Sequence, residues 1–407
     1  MCTVPGELIS PLLRWPGAVP GEGVDAPVAT HYGDPLREQR TLAGSAGWVD
    51  RSHRGVLAVP GVDRLGWLHD VTSQHLRALH DGAGTEALVL SPHGHVEHHA
   101  VLADLAGTTW LDVEPGTAPG LLAYLESMRF MLRVEPRDAT GEWAVVSLVG
   151  PRADAVLEAF GGAVPAGAYG VGPLAGGGWV RRMPALGGPP DAAETIEAVD
   201  LAVPRDRLAE VAERLTAAGA EPAGLWAYEA LRVAARRPRL GLDTDHRTIP
   251  HEVGWIGVAV HLDKGCYRGQ ETVARVHNLG RPPRKLVLLH LSGQSEDLPM
   301  PGTPVESAGR VVGRVGTVVR HHELGQIALA LVKVALVKMA PVKVAPVKVA
   351  PAEMALTKRS VPDRSELTVL GAPAAIDPDP HSTEPDDAPG AGRIARAALA
   401  RPDALQP

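Results

Sequence analysis

The sequence predicts an α+β protein made of two mixed α/β domains, a small C-terminal β-barrel and a disordered tail. Three observations carry that reading. Strand-like apolar runs alternate with amphipathic stretches through the first two thirds of the chain. From Lys285 onward short β-like runs replace them. Beyond Leu370, Pro, Ala and Asp dominate a stretch with too few large apolar residues to offset chain-ordering entropy. A length of 407 residues fits two or three domains.

The elements follow in order. Residues 1–46 are rich in Gly and Pro and read as an extended segment. The first α/β domain, 47–141, opens with a turn and a short strand over 48–59 and a helical pattern at Leu65, Leu68 and Val71. Strands at 87–90 and 100–103 flank a Ser-Pro-His-Gly turn, and a strand at 110–114 precedes a helix over 119–130. Met128 to Glu135 alternates enough for a strand edge or a binding wall, although packing explains its Met and Phe equally well. The second α/β domain, 142–283, holds strands at 143–149 and 200–203 and helices over 208–218 and 225–237, the last stopped by Pro238. Apolar alternation at 257–262 reads as a strand before a tight turn and a helix. The barrel takes 284–333 plus 359–370, and the tail is 371–407. Between the barrel pieces, 334–358 continues a five-residue Val-Lys-x-Ala repeat; its recurring prolines exclude a helix interior or central strand, so it reads as an inserted, exposed loop.

Composition narrows the function. Lys plus Arg total 40 against 47 Asp plus Glu, a net charge of −7, which lacks the positive field that drives binding to phosphate backbones. Cys2 and Cys266 are too few and too far apart for a disulfide framework, which fits a reducing, cytoplasmic setting. The N-terminal residues lack a secretory pattern, and the apolar stretch 327–350 carries four lysines, which excludes a transmembrane helix on sequence grounds.

Several residues have the chemistry of a site. Cys266 lies in Asp263-Lys-Gly-Cys-Tyr-Arg-Gly-Gln-Glu, where Lys264, Arg268 and the amides of a following helix favour thiolate. The alternative is a buried thiol packed as a small hydrophobe. Glu252 follows Pro250 and precedes Gly254, on a loop that can present a carboxylate to paired N–H donors. Arg284 can clamp carboxylates. His93, His95, Glu97 and His99 alternate on one strand face like metal ligands, but no zinc signature accompanies them and no metal is assigned. Arg232, Arg236, Arg237 and Arg239 read by default as a solvated helix end.

Together the Lys-Gly-Cys-Tyr-Arg-Gly-Gln-Glu run, the preceding Thr248-Ile-Pro-His-Glu-Val-Gly-Trp and the early His31-Tyr-Gly-Asp-Pro-Leu-Arg resemble the YgfZ-type folate-binding family over most of residues 8–333. That family is similar to the T-protein, the aminomethyltransferase of the glycine cleavage system. The resemblance implies a three-domain ring around a folate cavity, with tetrahydrofolate as cofactor. It also implies a role in assembling or maintaining iron–sulfur enzymes, which would be the partners. On it, Glu252 matches the carboxylate that reads the pterin ring, Arg284 the cation near the folate's acidic end, and Cys266 the signature thiol, with Lys264, Tyr267 and Gln270 from the same run at the site. One departure stands out: the T-protein's Gly-Gly-x-x-Asp-Asp is here Gly94-His-Val-Glu-His-His, so His98 and His99 replace two acids. An imidazole cannot supply the same negative charge to a cationic one-carbon centre. The expectation is therefore a folate-binding accessory protein, with aminomethyl transfer as the alternative and a domain that only binds partners as a third reading.

Overall fold

The computed structural model describes residues 8–187, 195–293, 298–334 and 367–378. The pentapeptide repeat from residue 335 and the tail from residue 379 lie outside the described residues. A five-stranded sheet has the spatial order Ala83–Leu90, Val96–Leu105, Thr108–Val113, Gly55–Pro60, Arg137–Asp138. Alternation puts Leu57, Leu102 and Leu111 on one face, where helices Arg64–Val71 and Ala118–Ser127 cover them with Leu68, Leu121 and Leu125. A six-stranded sheet runs Val171–Pro173, Trp179–Gly187, Ile196–Pro204, Trp143–Val149, Gly47–Asp50, Glu221–Ala223. Its main core joins Trp48, Val146, Leu148 and Leu201 to helices Ala153–Phe160 and Leu208–Ala217, and helix Leu225–Ala234 contributes Leu225, Tyr228 and Leu231 to a second cluster.

Several boundaries differ from the sequence reading. Gly47–Asp50 belongs to the six-stranded sheet, with Trp48 opposite Leu148, although it precedes the first domain's own strands. Local patterning reads 48–59 as one turn and one strand, and does not reveal that Gly47–Asp50 and Gly55–Pro60 are separate strands of different sheets. The segment before it is not simply extended: helix Pro35–Gly44 starts at Asp34, whose carboxylate accepts the Leu36 and Arg37 N–H groups at 3.1 and 3.0 Å. This Asp-Pro pair is a helix-start signal. Residues 257–262 form turns, with the Gly257 N–H on the Val260 carbonyl at 2.9 Å, rather than a strand. The helix expected over 119–130 ends at Ser127. Phe130 has a positive φ of 48° and Met131 is 97% exposed, so that run is not a strand and these two side chains are outside the core, whereas Met128 and Val134 pack in it.

The third unit is a closed six-stranded barrel in the order Arg284–Leu291, Gly325–Lys333, Arg310–His321, Pro304–Ser307, Leu367–Val369, Ala372–Ile376. Leu289, Val305, Val315 and Ala330 fill it. The closing strand, Ala372–Ile376, falls where the sequence reading begins a tail; its pairing with Leu289–Leu291 overrides a composition that reads as coil.

The two large sheets are joined through charge as well as apolar packing. Arg181, on the six-stranded sheet, is wholly buried and donates to Asp200 of its own sheet and Asp112 of the other, both at 2.9 Å, and to the Val101 carbonyl at 3.1 Å. Arg181→Ala leaves two buried carboxylates short of their cation and should cost about 3–5 kcal/mol. Urea unfolding of the full chain measures this; a loss under about 1 kcal/mol would mean that the sheets do not depend on the ion pairs.

Candidate functional site

The lysine of the cysteine run serves as an anchor. Lys264 is buried, and its Nζ donates to the carbonyls of His69, Thr72 and Gln74 at and beyond the end of helix Arg64–Val71. Cations are favoured at that end of a helix, while burial brings the ammonium down to about 8. Arg268 donates to Glu97 at 2.9 Å. The sequence reading placed both cations to act on the thiol, whereas the structure commits them elsewhere. Cys266 is free and exposed, and makes no side-chain hydrogen bond among the described residues. Tyr267 packs with Val253, Trp255 and Val273, and burial pushes its phenol up to about 12. Gln270 Nε2 donates to the Lys264 carbonyl at 3.2 Å, closing the loop on itself. Gly269 has φ +82°, and a Cβ there would stand 2.6 Å from the Ser91 carbonyl oxygen, so glycine is required where this loop meets the first domain's hairpin.

Glu252 and Arg284, assigned by the resemblance to opposite ends of a folate, bind each other. The guanidinium makes two 2.8 Å hydrogen bonds to the carboxylate and a third, of 2.6 Å, to Asp245. Glu252 also accepts the Ile249 N–H at 3.1 Å and is buried. These bonds hold the Arg284 guanidinium above its usual range. The pair thus fastens the loop 245–252 to the first residue of the barrel. Neither residue lines the inner cavity described next.

That cavity, of about 300 Å³, lies where the two α/β domains and the 236–258 segment meet. Its walls include Tyr169, Tyr228 and Trp255 beside Arg54, Glu114 and Arg239. A wider cleft of about 1150 Å³ lies between the second domain and the barrel, lined among others by His251, Lys285, Leu286 and His321. The two share Arg236, Arg237, Val253, Gly254 and Val258.

A chain of alternating charges runs along the cavity wall and into the protein behind it. Arg51 meets Asp200, Asp200 meets Arg181, Arg181 meets Asp112, and Asp112 meets Arg54. Arg54 meets Glu114, which meets Arg239; Arg239 meets Asp25 and Glu229, and Glu229 meets Arg232, which meets Asp243. Arg232 and Arg239 are therefore buried, not a solvated helix end. The missed signal was Glu229 and Arg232, one helical turn apart in an otherwise apolar helix.

An imidazole stands on the same cavity wall. Glu86 lies opposite Val101 in the sheet register, so Glu86 and His99 share the cavity face while His98 turns toward Ala100, Leu102 and Leu125. His99 Nε2 is 2.8 Å from Glu86 Oε2, the Tyr169 hydroxyl donates to Glu86 Oε1 at 2.5 Å, and the His99 ring stacks on Trp255 at 4.7 Å. Burial alone would raise the Glu86 carboxyl, but the bonds from His99 and Tyr169 outweigh it and lower it. Tyr169, buried beside that carboxylate, holds its proton above the usual phenol range. His95 precedes the strand and a bulge between Val96 and His98 breaks the expected alternation, Glu97 and His99 have separate partners, and among the described residues no cluster of three His, Cys, Asp or Glu side chains could hold a metal.

Residues 21–168 match the GCVT N-terminal domain family, and residues 284–357 match the CAF17 C-terminal beta-barrel domain. The aminomethyltransferase of Rubrobacter xylanophilus is 31% identical over 320 residues, 76% of this chain and 82% of that protein; the aminomethyltransferase of Symbiobacterium thermophilum is 30% identical over 308 residues, 74% and 80%. The chain belongs to the aminomethyltransferase family. A chloroplastic protein of Arabidopsis thaliana, named as a transferase without a stated substrate, is 27% identical over 66% of this chain and 60% of its own length. The glycine cleavage system aminomethyltransferase T from Bartonella henselae superposes with a TM-score of 0.71 over 91% of this chain and 95% of its own, at 20% identity, and has the same fold. The expected T-protein-like architecture is thus present in this aminomethyltransferase-family chain, with its barrel closed by a strand beyond the expected boundary. Among the described residues, no helix is long and apolar enough to cross a membrane.

Two outcomes follow for the charged groups. Glu252→Ala should destabilise the chain by about 2 kcal/mol, because Arg284 keeps its charge and loses two bonds; denaturant midpoints of the variant test this, and unchanged stability would return Glu252 to the pool of free ligand contacts. Asp25, although burial opposes ionisation, is drawn from 3.8 to about 2 by hydrogen bonds and charge from His53 and Arg239. Its folded value is below its unfolded one, so its contribution is full above about pH 4 and is lost as pH falls through about 2. Unfolding midpoints from about pH 5 to about pH 2 should fall over that window, with a weaker fall in Asp25→Asn.

Proposed function

We propose that this chain is a tetrahydrofolate-binding accessory protein for the assembly or maintenance of iron–sulfur enzymes, working in the cytoplasm. The observation that carries the folate half is the inner cavity: aromatic walls at Tyr228 and Trp255 stand over fixed buried charges, and the wider cleft opens from the same residues, Arg236 and Arg237. A flat heterocycle with an acidic tail fits that division, rings inside and carboxylates toward Arg237 at the junction, where Arg236 is already paired with Asp377. Tetrahydrofolate held there would supply a reduced ring able to carry a one-carbon unit. The chain's residues stack the ring, keep water off it and hold the tail. The iron–sulfur half rests on the barrel's match to CAF17 and on the Lys-Gly-Cys-Tyr-Arg-Gly-Gln-Glu run. Cys266 is one exposed thiol, which can share a cluster with a partner or exchange with a client cysteine but cannot hold a cluster alone.

The second reading is aminomethyl transfer to tetrahydrofolate, favoured by 30–31% identity to named aminomethyltransferases. Against it stand His98 and His99, where the T-protein pattern has two acids.

Titration with tetrahydrofolate, followed by the emission of Trp255 against a Trp255→Phe control, should saturate. Arg237→Ala should weaken binding at least about tenfold, the value of a charge-assisted contact. No saturation, or equal affinities, would remove the folate assignment. One-carbon turnover that survives Cys266→Ser would favour the transferase, whereas loss of client iron–sulfur enzyme activity in cells carrying Cys266→Ser would favour the accessory role.

A further inference from the structure

The imidazole in the cavity has a fixed polarity. Glu86 accepts on both oxygens, from Tyr169 on one and from His99 Nε2 on the other. With an ionised carboxylate opposite it, Nε2 must carry the proton, so in a neutral ring Nδ1 is left as a lone pair. His99 Nδ1 has no hydrogen-bond partner among the described residues, yet it is not among the sealed, unsatisfied atoms, unlike the Nδ1 atoms of His53, His98 and His251. The ring lines the cavity, and its face is pinned against Trp255 with an interplanar angle of 16°. An imidazole held on one edge by a carboxylate and on one face by an indole has little freedom to turn.

We propose that His99 is the residue that reads the cavity ligand, its Nδ1 accepting a hydrogen bond from a ring N–H of a planar heterocycle, and that Glu86 is the positioning residue that sets this direction. This rests on the folate reading above for the ligand's identity, and it moves recognition from Glu252, which is tied to Arg284, to His99. The class of ligand follows from the acceptor. A ring edge carrying an N–H, such as the lactam edge of a reduced pteridine, is bound, whereas a ring presenting only acceptors there leaves two lone pairs facing each other and is rejected. Tyr169 supports the arrangement from the second domain, so the reading group is complete only when the two α/β domains are docked.

Glu86→Gln separates this role from packing, because a carboxamide of the same shape can donate to Nε2 and so release the Nδ1–H tautomer. Histidine-selective 15N resonance spectra of the ligand-free full chain at about pH 8, assigned by difference against His99→Phe, should show His99 protonated on Nε2 in the native chain and redistributed in Glu86→Gln. Tetrahydrofolate affinity should fall at least about tenfold in both variants, with thermal midpoints of Glu86→Gln close to native. A native spectrum with the proton on Nδ1, or native affinity in His99→Phe, overturns the proposal. A native chain with the expected tautomer that binds no tetrahydrofolate overturns instead the folate reading, and with it the ligand assigned to His99.

Discussion

The docking of the two sheets depends on one buried guanidinium. Arg181 lies between Asp112 and Asp200 with no water-exposed surface, and each carboxylate is in turn shared with a second arginine, Arg54 and Arg51. Burying a lone charge would cost more than folding can supply, so each group is tolerated only because the next is in place. The result is an alternating lattice rather than a set of independent pairs. It ties the way the domains meet to these contacts, because drawing Asp112 away from Arg181 would leave buried charges unpaired.

This lattice explains why a cavity survives in the middle of the molecule. Apolar surfaces left to themselves close over voids, whereas hydrogen-bonded charges hold their spacing. Glu114 and Arg239 line the hollow and carry the lattice across it toward helix Leu225–Ala234, and the aromatic residues stand on that frame. Recognition can then be set by side chains with one orientation each. The outer cleft has a different character: its walls come partly from the barrel, which is attached through Glu252, Asp245 and Arg284.

Much of the fold was legible because its signals are local. The Ser91 to Gly94 turn between two apolar runs, the helix from Leu225, which ends at Ala234 rather than at the expected 237, and the barrel's short β-like runs all came from patterns within about ten residues. What escaped was non-local. Gly47–Asp50 carries no strand signal of its own, and its partners Trp143–Val149 and Glu221–Ala223, about a hundred residues and more away, assign it to a sheet. The site was harder still. Lys264, Glu252 and Arg284 are in the expected run or spacing, but a sequence does not reveal that a lysine will be caged by carbonyls or that two candidate ligand contacts will satisfy each other. His99 was visible only as one of several alternating histidines, since Glu86 and Trp255 reach it, and Tyr169 reaches Glu86, from three separate parts of the chain.

The barrel closes through Ala372–Ile376, and the residue after it, Asp377, bonds Arg236 at the junction of the two cavities as well as His290. During synthesis on the ribosome both α/β domains can form while the barrel still has an open seam. The mouth of the inner hollow therefore gains its last contact only when nearly the whole described chain has emerged. A molecule released before that point would leave Arg236 without its carboxylate and the sheet edge of Leu289–Leu291 open to other strands.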